Sequence, residues 1–297
     1  MTRACPAPSP LAALARACDA SLHNALWSLH DALWRRTRAR RAVQAVRVAR
    51  TLRPSARFVL DVMRDSTPRR YVSKQSGLVI YLRPRLDLQV AREVLGQNVY
   101  ELPVEVRAVL DRCGSPLTVL DLGANIGLFA LSSIHLLGDG TRVVAVEADP
   151  GSAELLRLNL WVNDRDDQVS VHAVAAGHQA GRARFAAGRG DVSRVVAQDD
   201  PGGSIEVPVV DAFELANGCD LIKMDIEGSE WDLLRDPRMG KLDAKALVVE
   251  WHASRFGTHD PASEAVRLLH GAGFCTRELA SRATTGIVWG WRAPDHR

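Results

Sequence analysis

Two stretches carry side chains able to take a proton from a weak acid or to hold a cation. The first is Asp220-Leu221-Ile222-Lys223-Met224-Asp225-Ile226-Glu227-Gly228-Ser229-Glu230, and the second is Glu250-Trp251-His252. An alcohol is a poor nucleophile until its proton begins to leave, so a base held against it speeds its attack. Asp225, Glu227 and His252 are the candidates for that base. Asp225 and Glu227, with Glu250, can instead gather a divalent cation that lowers the hydroxyl's pKa. Plainer readings stand beside these. His252 fits a satisfied histidine at a sheet edge, and Glu230 fits a cap or salt bridge of the helix that follows.

Both runs read as strands, 220–225 and 246–251, whose far ends carry the acids. Side chains alternate along a strand, so Lys223 shares a face with Asp225, and Glu250 with His252, with Trp251 opposite. Ligands of open α/β sheets gather at this carboxyl edge. A third stretch belongs to the same edge. Leu117 to Leu120 reads as a buried strand, Asp121 ends it, and Gly123-Ala124-Asn125-Ile126-Gly127 turns the chain into an apolar helix over 126–137. Gly123 and Gly127 lack a Cβ and so permit close approach to a ligand. A second strand, 142–147, ends in Glu147, whose carboxylate can accept both hydroxyls of a ribose. Strand, glycine turn, helix and acid fit a dinucleotide or S-adenosylmethionine (SAM). The turn lacks the middle glycine of G-x-G-x-x-G, which brings a pyrophosphate to the helix N-terminus. That favours SAM, which has no phosphate.

Around these stretches strands and helices alternate. Helix 151–162 starts at Pro150, and strand 169–174 follows. A β-rich insert covers 182–210 and a short helix runs from Asp211 to Ala216. Helices 228–235 and 262–271 follow the two acidic strands, and two strands close the chain. The pattern predicts a doubly wound α/β sheet of seven strands, mostly parallel with one reversed edge strand. Residues 58–116 read as an accessory lead-in, with a hairpin across Gly77 and a helix from Glu101 to Leu110. Domains are expected at 1–57, 58–116 and 117–297.

The net charge of +3 conceals an asymmetry. Residues 1–57 hold eleven arginines against Asp19 and Asp31, so this extension carries +9 and the rest −6. Its first ten residues are proline-rich and read as disordered. Leu22, Leu26, Leu29 and Leu33, within a repeat containing Trp27 and Trp34, line one helical face. That helix suits packing on the body, a homodimer or a membrane-surface contact through residues 11–53. Nucleic acid is disfavoured by the acidic body. The chain has no apolar run of membrane-spanning length and no signal-peptide pattern. Its five cysteines are scattered, as in a cytoplasmic protein, peripheral at a membrane if the extension binds one.

Asp121-Leu122-Gly123-Ala124-Asn125-Ile126-Gly127, Val146-Glu147-Ala148-Asp149-Pro150 and Ile222-Lys223-Met224-Asp225-Ile226-Glu227-Gly228-Ser229-Glu230 together resemble the FkbM family of SAM-dependent methyltransferases. Tyr100-Glu101, the Asn159/Asn163 pair and Val174-Ala175-Ala176-Gly177 extend the resemblance, which covers roughly 75–292. It implies the class I methyltransferase fold and O-methylation of a sugar, glycolipid or secondary metabolite. It implies that Asp121, Gly123, Ala124, Asn125 and Gly127 line the methionine end of SAM. Glu147 would hold the ribose, Ala148 and Asp149 would flank the adenine with Ala175 against it, and Asp225 and Glu227 would face methyl donor and acceptor.

Three rivals remain. An NAD-dependent oxidoreductase calls for the missing glycine fingerprint. An RNA methyltransferase acting on the ribose 2′-hydroxyl is compatible with Lys223 and the acids. A catalytically degenerate binding subunit is opposed by the intact Asp121, Glu147 and Asp225. The acceptor pocket is expected from segments 58–100, 182–204 and 253–262, with Trp161, Trp231 and Trp251 available to stack on a sugar.

Overall fold

The computed structural model describes residues 37–64, 67–188, 194–196, 204–253, 260–281 and 284–293. The proline-rich start and the Leu22/Leu26/Leu29/Leu33 repeat lie outside the described residues, as does part of the segments expected to shape the acceptor pocket.

The described residues open with helix α1 (37–49), strand β1 (Leu52–Arg53), helix α2 (Ser55–Arg64) and strands β2 (Arg69–Ser73) and β3 (Val79–Leu82). These strands form a sheet in the order β1-β2-β3. Ala45 and Val48 of α1, Phe58 and Val62 of α2, and Tyr71 and Ile80 share one core. Residue 57 therefore lies inside a helix of a continuous lobe. Helix α3 (Leu88–Ala91) passes into a π-helical turn (Arg92–Gln97), and α4 (Val104–Leu110) leads to the main sheet.

The main unit runs β4 (Thr118–Leu122), α5 (Leu128–Leu137), β5 (Arg142–Val146), α6 (Pro150–Trp161), β6 (Val169–His172), β7 (Ala175–Gly177), β8 (Gly181–Ala186), β9 (Arg194–Val196), β10 (Ile205–Asp211), α7 (Ala212–Leu215), β11 (Leu221–Met224), α8 (Glu230–Arg235), β12 (Ala246–His252), α9 (Pro261–Gly271), β13 (Cys275–Ser281) and β14 (Thr285–Trp291). Seven strands pair in the order β13-β14-β12-β11-β4-β5-β6. β14 alone is reversed, antiparallel to both neighbours, one place inside the rim formed by β13. The buried aliphatic runs of β4, β11 and β12 follow from helices covering both faces of a parallel sheet.

The chain winds outward from β4 to β6 and then returns to β11 on the other side of β4. The crevice between these two directions, at the carboxyl ends, is the topological switch point. The third parallel strand stops at His172, and Ala175–Gly177 joins a separate sheet in the order β7-β10-β8-β9. That sheet is the form taken by the β-rich insert. Trp231 and Trp251 are fully buried core residues, and Trp161 is 66% exposed on α6. None of the three lines the crevice.

Candidate active site

A cleft of about 300 Å³ lies over the switch point, at the low end of small-molecule sites. Gly123, Ala124, Asn125, Glu147, Ala148 and Ala175 line it over β4 and β5. Asp225, Glu227, Glu250, His252 and Tyr100 line it over β11 and β12. The sheet order thus divides it into two ends with different chemistry.

At the first end Glu147 is clasped by the backbone. Its Oε2 accepts from the Asn125 amide and its Oε1 from the Asp149 amide, both at 2.7 Å. Each oxygen retains acceptor capacity toward the cleft. Burial pushes the carboxyl up to about 7, against the pull of those amides. Asn125 takes a left-handed backbone, φ 49°, and its buried Oδ1 has no hydrogen-bond partner among the described residues. Buried polar atoms of this kind want a donor.

Asp121, Gly127 and Asp149 do not line the cleft. Asp121 is fully buried beneath it, with Oδ1 3.2 Å from Lys223 Nζ. Asp149 caps α6 by accepting from the Ser152 amide at 3.0 Å and also accepts from the Gly188 amide. Gly127 makes room for Leu156: a Cβ there would lie 3.0 Å from its Cγ. Gly123 lines the cleft, yet its need for glycine comes from the chain itself. A Cβ would lie 1.7 Å from the Asp225 carbonyl oxygen, and φ is +78°. The glycines expected to admit a ligand admit neighbouring protein.

At the second end five carboxylates, Asp121, Asp225, Glu227, Glu230 and Glu250, interlock with Lys223, His252 and Tyr100. Lys223 Nζ lies 3.2 Å from Asp121, 3.5 Å from Asp225, and donates to the Gly123 carbonyl at 2.9 Å. Burial opposes its charge, but Asp121 and Asp225 outweigh it and hold the ammonium pKa above its ordinary value. Tyr100 Oη is 2.9 Å from Glu250 Oε2 and 3.2 Å from Asp225 Oδ2. A phenol has one hydrogen, so both contacts attract only if the trio holds a second proton. Burial first, then Asp225 and Glu93, raise the Glu250 carboxyl, so the trio holds a proton more readily than free carboxylates would.

His252 sits between two acids, Nδ1 3.2 Å from Glu230 Oε1 and Nε2 3.5 Å from Glu227 Oε2. Burial works against its charge, but the Glu230 hydrogen bond and the surrounding carboxylates raise its pKa to about 10. It is an imidazolium at neutral pH, with no lone pair to act as base. This corrects its place among the candidate bases. Glu230 is fully buried and accepts from the Ile226 and Gly228 amides, each at 2.8 Å. It pins the turn that carries Glu227, whose φ is 53°.

Several cleft residues had no sequence signal of their own. Gln89, Val90, Glu93 and Val94 reach it from α3 and the π-helical turn, and Thr284 and Thr285 from the start of β14. Residues 83–99 contain no strong period or motif. The Lys223–Asp121 pair was recoverable in principle, because both residues are charged within buried strands.

Residues 121–274 match the model of the methyltransferase FkbM domain. Ribosomal protein L11 methyltransferase of Pelobacter propionicus is 41% identical over 88 residues, covering 29% of this chain and 28% of that protein. Among solved structures, the METTL16 MTase domain aligns with TM-score 0.45 and 15% identity over 80% of each chain. Precorrin-6y C5,15-methyltransferase from Geobacter metallireducens GS-15 aligns with TM-score 0.39 and 14% identity over 63% of this chain and 88% of its own.

Proposed function

The chain belongs to the FkbM methyltransferase domain family, and on that premise we propose that it moves a methyl group from SAM to a hydroxyl oxygen of a sugar, glycolipid or secondary metabolite. One observation carries this reading: a single cleft joins a ribose-competent carboxylate, Glu147, to an acid cluster around Asp225. The first end suits SAM on its own chemistry. Glu147 has acceptor capacity for the ribose hydroxyls, Asn125 Oδ1 wants a donor, and Ala148 and Ala175 offer apolar walls for an adenine. When bound, SAM supplies an electrophilic methyl on a sulfonium.

The remaining work falls to the chain. Asp225 accepts the acceptor's hydroxyl proton as the oxygen attacks. Tyr100 and Lys223 hold Asp225 in place through contacts of 3.2 and 3.5 Å. The imidazolium of His252 neutralises Glu227 and keeps it oriented. Holding the two partners close and aligned supplies much of the acceleration.

Asp225, Glu227 and His252 each offer a donor atom within 4.8 Å of the others, the arrangement a divalent cation would use. The donor chemistry fits poorly. Both ring nitrogens of His252 already face carboxylates, Glu230 at 3.2 Å and Glu227 at 3.5 Å, and the Lys223 ammonium lies 3.5 Å from Asp225. No step is therefore routed through a metal, and methyl transfer insensitive to EDTA is expected.

The test is calorimetric titration with SAM, and separately NAD, using wild type, Glu147→Ala and Asp225→Asn. Radiolabelled methyl transfer to a panel of hydroxylated glycans and glycolipids follows. Support would be SAM binding lost in Glu147→Ala and kept in Asp225→Asn, with transfer lost in both. A folded protein that binds NAD and ignores SAM would overturn the reading.

A further inference from the structure

The surface of the N-terminal lobe is unlike that of the body. We propose that the outer face of α1 and α2 seats on an anionic lipid surface. Helix α1 buries Ala45, Val48 and Ala49 against the lobe's core. At 3.6 residues per turn, Arg40, Val43, Val46, Arg47 and Arg50 fall within about 120° on the other side, and all are exposed. Val43 is 54% and Val46 46% exposed. Helix α2 repeats the arrangement. It buries Phe58 and Val62 and turns Arg57, Leu60 and Arg64, spaced three and four apart, to solvent, with Leu60 51% exposed. A surface helix ordinarily keeps its solvent side polar; these two place aliphatic side chains among arginines there.

The charge of the lobe names the partner's sign. Among the described residues of 37–87, no carboxylate is exposed. Asp61 is drawn to Tyr71 Oη at 2.6 Å, and Asp87 is fully buried against Arg83 at 2.7 Å. Cations with interleaved aliphatics match the boundary between anionic headgroups and acyl chains. Binding to single-stranded nucleic acid would favour aromatic rings for stacking bases, and the exposed large apolar residues here are Val and Leu. The Leu/Trp repeat before α1 in the sequence has the composition of an interfacial segment too.

The buried side of α1, opposite the seat, packs toward the wall of the cleft. Val48 of α1 packs beside Gly96, at the end of the π-helical turn whose Glu93 and Val94 line the cleft. Lipid binding is read without methyl transfer, so its failure and the failure of the proposed activity are separate results.

The experiment is co-sedimentation of the full chain with phosphatidylcholine vesicles, with and without phosphatidylglycerol, at low and high salt. Wild type is expected to pellet with the anionic vesicles at low salt and to remain in solution with phosphatidylcholine alone. Replacing Arg40, Arg47 and Arg50 together by Gln should weaken binding roughly a hundredfold. Val43→Ser with Val46→Ser should weaken it while leaving its salt dependence in place. Circular dichroism confirms that each variant is folded. The proposal is overturned if folded wild type ignores anionic vesicles, or if both variants bind as wild type does. It is equally overturned if an RNA oligonucleotide is captured in preference to vesicles, or if the valine face instead mediates self-association.

Discussion

Glu147 shows how a residue can be found by pattern and understood only by contact. Its position after a strand marks it as a ribose acceptor, but two backbone amides at 2.7 Å and full burial set its pKa at about 7. An ionised carboxylate accepts hydroxyl hydrogens better than a neutral one. SAM affinity should therefore rise up to about tenfold per pH unit toward about pH 7 and level off above it. Calorimetry across that range should give a flat profile for Glu147→Gln. At the other end, Asp225→Asn should lower the transfer rate by roughly 10²- to 10⁴-fold with SAM affinity little changed. Gly123→Ala tests the packing. Its Cβ would overlap the Asp225 carbonyl at a positive φ, so a loss of about 3 kcal/mol or more is expected in denaturant unfolding.

At the scale of elements, α6 and β3 are joined by side chains imitating a strand. Asn159 Oδ1 accepts from the Tyr81 amide at 2.6 Å, while its Nδ2 donates to the Tyr81 and Ile126 carbonyls at 3.0 and 2.8 Å. Asn163 does the same for Val79, at 2.8 and 2.7 Å. Asn159 stands in α6 and Asn163 in the turn just past its end, four residues on, and together they tie the basic lobe to the sheet beside the glycine turn. Removing Asn159 leaves buried backbone groups unpaired, so Asn159→Ala should cost about 2–4 kcal/mol, read as a lower denaturant midpoint. The two asparagines were visible in the sequence as part of a family pattern. Their role was not, because the strand they serve lies 78 and 84 residues away.

For the whole molecule, the charged cleft makes stability depend on pH in one direction. Glu147 binds a proton more tightly folded than unfolded, so its contribution is complete below about pH 4.5 and is lost as pH rises through about 7. His252, raised from 6.5 to about 10, contributes fully below about 6.5 and loses that contribution as pH rises through about 10. Both slopes have the same sign, so the melting temperature of the ligand-free protein should fall from mildly acidic to alkaline pH. Glu147→Gln should flatten the acidic leg and His252→Asn the alkaline one. Scanning calorimetry across buffers checks both. Among the described residues no helix is long and apolar enough to cross a membrane.

The sequence by itself determined the alternation of strands and helices, the glycine turn and the acids at three strand ends. These are local signals: side-chain period, glycine placement and a charge terminating an apolar run. It also displayed the opposition between a basic extension and an acidic body. Only the tertiary structure decided which acids face the cleft and which serve the frame. Asp121 near the end of β4 and Asp149 just past β5 stand close to the carboxyl edge as Asp225 and Glu147 do, yet one is buried against Lys223 and the other caps a helix. Tertiary structure also placed Tyr100 between Asp225 and Glu250, partners 125 and 150 residues distant, and enclosed His252 between Glu227 and Glu230, making a candidate base into a cation. Whether an ionisable group stays charged depends on burial and on neighbours brought in from elsewhere in the chain, and no local pattern carries that information.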